Sequence, residues 1–175
     1  MNVIEHSCQI NMRLNVLGLT LSTLAFSISY ALIEYYVIRD TTFGYNPVLF
    51  SLIYPYHFAM AAVFSVTAYG LLAAHVNMKG VLPSLILTGA LFGPMLMVED
   101  FMWFTLRAMA PMQGDANAGM LIMTGEWTTQ FMGSTDAYFT AIPNWYFMNI
   151  VFSAIALAVI HARQQPLVTA VVSAP

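Results

Sequence analysis

Five residues of this chain set ionisable side chains within or beside long apolar runs, Glu34, His57, Glu99, Asp100 and Arg107, and the first four are of types that could do chemistry together. Between them they offer three carboxylates and one imidazole, a donor set suited to Zn²⁺, Mn²⁺ or Fe²⁺. A divalent ion shared by all four would offset the cost of holding several acids in a low-dielectric region. Without metal, neighbouring carboxylates resist being charged together, and a proton held between them suits acid–base work. Both versions are expectations: the four residues as metal ligands, or the same four as catalytic acid and base groups. In either, Trp103 walls the pocket, and Glu126 and Asp136 complete or cover it.

Each residue also has a plainer role. Glu34 and Glu99 can sit solvated among headgroups. His57 can bond a backbone carbonyl or Glu34. Asp100 and Arg107, seven apart and so on one helical face, can form an ion pair that fixes orientation. Asn149 can hold one helix to another. Trp103, Trp145, Tyr35, Tyr36 and Tyr45 fit an interfacial aromatic belt. The chain has 13 methionines, and the pairs Met109/Met112 and Met120/Met123 have the thioethers Cu(I) prefers. Packing is the simpler use of methionine.

The elements that must position these groups follow from composition. Only 7% of the 175 residues are charged and 59% are hydrophobic, against about 25% charged in an ordinary soluble domain. A membrane span needs about 20 mostly apolar residues. Four stretches qualify, 14–37, 50–75, 81–108 and 145–161. The expected architecture is all-α, an integral membrane four-helix bundle forming one domain, with a long external loop over 110–143 between the third and fourth helices. The first run is longer than a signal-peptide core and ends in Glu34-Tyr35-Tyr36, not in a small-residue cleavage site, so it reads as a retained span. Pro55 suits a first helical position, and Gly93-Pro94 falls inside the third run, where proline removes a backbone hydrogen bond.

Depth and direction make the four residues converge. All lie toward the same side of the bilayer. At about 100° per residue, Thr20, Thr23, Ser27, Tyr30 and Glu34 share one face of the first helix, and a polar face in lipid turns inward. On the fourth helix Asn149 shares a face with Trp145, Ser153 and Ala156. Gly18, Ser22, Ala25 and Ser29 form a stripe of small residues that permits close helix approach.

Absences narrow the function. Scattered charge, with no basic stretch, argues against nucleic acid as a partner. A lone cysteine, Cys8, rules out an internal disulfide. No HExxH, GxSxG, Walker A or histidine-box motif is present, so those mechanisms lack their residues. The expectation is a small membrane protein with an outer-leaflet polar pocket, a metal-binding or acid–base enzyme acting on a lipid-like substrate. The rivals are a non-catalytic subunit of a larger membrane complex and, behind it, a transporter or channel protomer. Expected partners are membrane lipids and membrane proteins, including further copies of this chain.

Lysine and arginine counting sets the orientation. Arg13, Lys79 and Arg163 fall on one side and Arg39 and Arg107 on the other, which puts both termini in the cytoplasm. A fluorescent protein fused to the C-terminus should therefore light up in intact cells. In a Cys8→Ser background, Asp136→Cys should react with a membrane-impermeant thiol reagent added outside. Reaction only after lysis would reverse the assignment.

Overall fold

In hydrocarbon every backbone polar group must be bonded within its own segment, which makes a long apolar run a helix. The computed structural model describes residues 3–38, 55–76, 80–111, 119–124 and 127–172, with side chains over 16–38, 56–76, 80–111, 119–124 and 128–158. Helix α1 (Val3–Ile33) passes into a π-helical turn over Glu34–Ile38. Then come α2 (Pro55–His75), α3 (Val81–Met109), the short α4 (Trp127–Met132), a hairpin of β1 (Ser134–Asp136) and β2 (Ala141–Pro143), and α5 (Asn144–Val172). The stretches Val16–Ile38, Tyr56–His75 and Val81–Met109 are each long and apolar enough to cross a membrane. Over its described side chains α5 is apolar from Asn144 to Ala158.

The boundaries differ from the sequence reading at four places. α1 begins at Val3 and α5 continues to Val172, so helix extends beyond the apolar cores at both ends of the chain. α2 starts at Pro55, as the fixed φ of proline favours; the preceding residues lie outside those described. The segment expected as a plain loop carries α4 and an antiparallel hairpin with Thr135 opposite Ile142.

Helix α3 is the hub. It packs on α1, α2 and α5, and α1 also packs on α2. Among the described residues α5 leans chiefly on α3 and on the short elements before it. The long helices thus form a triangle with a fourth laid along one corner, not a ring in which each meets two neighbours. Between α1, α2 and α3, Phe64, Ala68 and Met95 are buried against Phe26, Tyr30 and Phe92, with Phe64 edge-on to Phe26 and Tyr30 at 5.1 and 4.9 Å. A second cluster, Phe104, Met123, Trp145 and Tyr146, joins α3, α5 and the intervening segment.

Close approach along the α3–α5 seam depends on Gly93. A Cβ there would stand 2.0 Å from Asn149 Oδ1 and 2.7 Å from its Cγ, a separation that no side chain tolerates. The next residue, Pro94, lies inside α3 and has no N–H for the carbonyl of Ala90 four residues earlier. Ser153 fills that vacancy from α5, donating its hydroxyl to the Ala90 carbonyl at 2.7 Å. A neighbouring serine answering a proline-freed carbonyl is what an apolar environment demands.

This pairing can be measured. Ser153→Ala should cost about 1 kcal/mol, read as denaturation in detergent micelles. In a Pro94→Ala background the new N–H serves Ala90, and Ser153→Ala should then cost close to nothing. Equal losses in both backgrounds would mean that the serine does not serve the proline gap.

Candidate acid–base site

Two of the expected residues meet directly. Glu34 opens the π-helical turn at the end of α1 and is half-buried. Glu99 lies in the last third of α3 and is only 5% exposed. The two carboxyls act on one another electrostatically, and Glu34 Oε2 is buried with no hydrogen-bond partner among the described residues. Tyr30, one turn before Glu34, lies within electrostatic reach of both acids.

The π turn positions this pair. π-helical turns are uncommon and recur at functional sites. Here the turn presents Glu34 to α3 and buries the next residue, Tyr35, completely. Tyr35 donates its hydroxyl to the Ala110 carbonyl at 2.7 Å, supplying one of the bonds that the end of α3 cannot make for itself. Its ring meets Trp103 edge-on at 5.9 Å. The aromatic-belt reading therefore fails for Tyr35, and also for Trp145, which is 8% exposed inside the second cluster. It suits Tyr36, which is exposed; Tyr45 lies outside the described residues.

Asp100 takes a different neighbour. Consecutive residues on a helix diverge by about 100°, so Asp100 turns from α1 toward α5, where its Oδ2 accepts the Tyr146 hydroxyl. Asp100 is 7% exposed and still acts electrostatically on Glu34 and Glu99. The sequence reading did not include Tyr146. Its signal was available: a phenol beside Trp145, one turn before Asn149 on the face that meets α3.

His57 lies in the first turn of α2, half-buried, with its ring 4.1 Å from that of Tyr56. Arg107 has its guanidinium 5.8 Å from the Trp103 ring centre, within cation–π range. Asp136 is exposed on β1, and Glu126 lies outside the described residues. Of the methionine pairs, Met123 is buried in the second cluster and Met112 is outside the described residues.

These placements remove the support for a metal centre built on Glu34, His57, Glu99 and Asp100. Among the described residues, no three His, Cys, Asp or Glu side chains come together in a way that could hold a metal ion. The reason is angular. Glu99 and Asp100 are adjacent in sequence and therefore point to different helices, so one ion cannot readily meet both.

The Asp100–Tyr146 bond should be worth about 1–3 kcal/mol to the α3–α5 contact. A double-mutant cycle of Asp100→Asn with Tyr146→Phe, read by denaturation, should return a coupling of that order. Additive losses would mean that the two groups contribute separately.

Compared with known protein families, characterised proteins and solved structures, this chain matches none, and no relative lends it an activity.

Proposed function

We propose that this chain is a four-span membrane protein, with both termini cytoplasmic, whose Glu34–Glu99 pair holds an exchangeable proton for acid–base chemistry on a lipid-like substrate. The observation that carries the reading is two carboxyls from different helices, Glu99 buried and Glu34 half-buried, within electrostatic reach of each other inside an apolar bundle. A lone charged acid inside a span is costly, and such residues are rare unless they have a partner or a role. A bundle that holds two of them face to face bears a cost that packing alone does not require. A shared proton lowers that cost and gives the pair one acid and one base at the same point.

In this reading the protonated carboxyl donates to a substrate oxygen while its partner accepts a proton. Tyr30 adjoins both, and Asp100, held by Tyr146, acts from α3 without joining the pair. The lipid-like class follows from access. Glu34 is half-buried beside Ile33 and Val37, both exposed on the apolar surface of the bundle, so a molecule reaching it comes through hydrocarbon. Metal is not part of this mechanism.

A second reading, a non-catalytic subunit of a membrane complex, draws on the hairpin turn. Tyr138 and Phe139 are fully or largely exposed there, and a partner could cover them. Native mass measurement of gently solubilised protein separates the two, since a stable lone monomer counts against a subunit.

The primary reading is tested by reconstituting purified protein with a total lipid extract and following lipid species by mass spectrometry. Glu34→Gln and Glu99→Gln should each slow the change in lipid composition by about 100-fold or more, the usual scale of general acid–base catalysis. Ser29→Ala, on an exposed face of α1, should leave it unaltered. Full turnover in either glutamine variant, or no lipid change with wild-type protein, would overturn the reading.

A further inference from the structure

An acid–base pair inside an apolar bundle must regain its proton after each use, and the helix faces that carry this pair also carry hydroxyls. Glu34 and Tyr35 at the end of α1 meet Glu99 and Ala110 near the end of α3, so the two helices run parallel. Thr23 and Thr88 each stand eleven residues before the carboxyl of their own helix. That is close to three whole turns, so each threonine lies on its carboxyl's face and the two come to one level. Ser27 lies between them and the pair.

Ser27 is the informative residue. It is fully buried, and its hydroxyl has no hydrogen-bond partner among the described residues. Leaving a buried hydroxyl unmet is unfavourable, and polar interior sites of this kind are commonly met by water. Thr23 donates to the Leu19 carbonyl at 2.7 Å and Thr88 to the Ser84 carbonyl at 2.8 Å, so both keep lone pairs that accept. Tyr30 stands between Ser27 and Glu34 on the same face. The second unmet atom on this line is Glu34 Oε2 itself.

We propose that Ser27, Thr23 and Thr88 support a hydrated proton route from the Glu34–Glu99 pair along the α1–α3 seam to the end of the bundle that carries Val16 and Val81. This inference rests on the reading of Glu34 and Glu99 as a proton-holding pair. The protonated carboxyl gives its proton to an adjoining water. That water passes one of its own to the next oxygen, with Ser27 accepting one proton as it donates another. One proton leaves at the far end as hydronium, and the reverse sequence restores it. No electron moves and no covalent bond other than O–H changes.

The test uses infrared spectroscopy of the purified full-length protein in lipid vesicles. A protonated carboxyl shows a C=O stretching band, assigned here by its loss in Glu34→Gln and Glu99→Gln, that shifts when the protein is mixed with D₂O. Wild-type protein should show the band and exchange it rapidly. Ser27→Ala and Thr88→Val should each slow that exchange at least about tenfold, and Ser29→Ala on the exposed face should leave it unchanged. If Ser27→Ala does not fold, Thr88→Val and Thr23→Val report on the same route. A band that is present but exchanges at the wild-type rate in the folded seam variants overturns the route alone. Equal slowing in Ser29→Ala overturns it too. Absence of the band from wild-type protein overturns the pair, and the route with it.

Discussion

A polar group inside this bundle costs least when its own helix or a neighbouring one answers it, because the surroundings offer little water. Helix α3 carries most of the demand. Its Glu99 is met by Glu34, its Asp100 by Tyr146, the proline-freed carbonyl of Ala90 by Ser153, and the terminal carbonyl of Ala110 by Tyr35. Two of these partners come from α1 and its π turn and two from α5. Apolar packing alone distinguishes poorly between helices in lipid, so these four interactions give α3 a defined rotation between its neighbours.

That rotation decides the chemistry. Because Glu99 and Asp100 are consecutive, a helix that aims one at α1 aims the other at α5. The acids that looked like a single cluster are divided between two seams: Glu34 and Glu99 act on one another where α1 meets α3, and Asp100 accepts the Tyr146 hydroxyl from α5.

The segment between α3 and α5 is held by its own small set of contacts. Gly133 adopts φ 74 at the end of α4, a left-handed conformation that glycine accepts without strain. Asn144 then ties the start of α5 back to this corner, donating to the Met132 carbonyl at 2.9 Å and accepting the Thr135 hydroxyl at 2.6 Å. Below it, Met123, Leu121 and Ile142 pack onto Phe104, Trp145 and Tyr146. The same cluster that anchors this segment therefore also encloses Tyr146, the partner of Asp100.

Composition and run length were enough, by themselves, to make this a mostly helical chain with stretches able to cross a membrane, because an apolar run of that length has no other way to bond its backbone. Helical periodicity likewise placed Thr20, Thr23, Ser27, Tyr30 and Glu34 on a common inward face, of which Thr20 is exposed in the structure, and Ser153 on one face with Trp145 and Asn149. Pairing between helices was not legible. Which residue meets Glu99 depends on the rotation of α3 and on a π turn in α1, and neither leaves a periodic mark in the sequence. Tyr146 and Tyr35 read as interfacial or incidental for the same reason, and Gly93 as a mere helix weakness until Asn149 stood against it. Periodicity is a property of one helix and could be read from the chain, whereas the carboxyl pair belongs to two helices and was decided only when they packed.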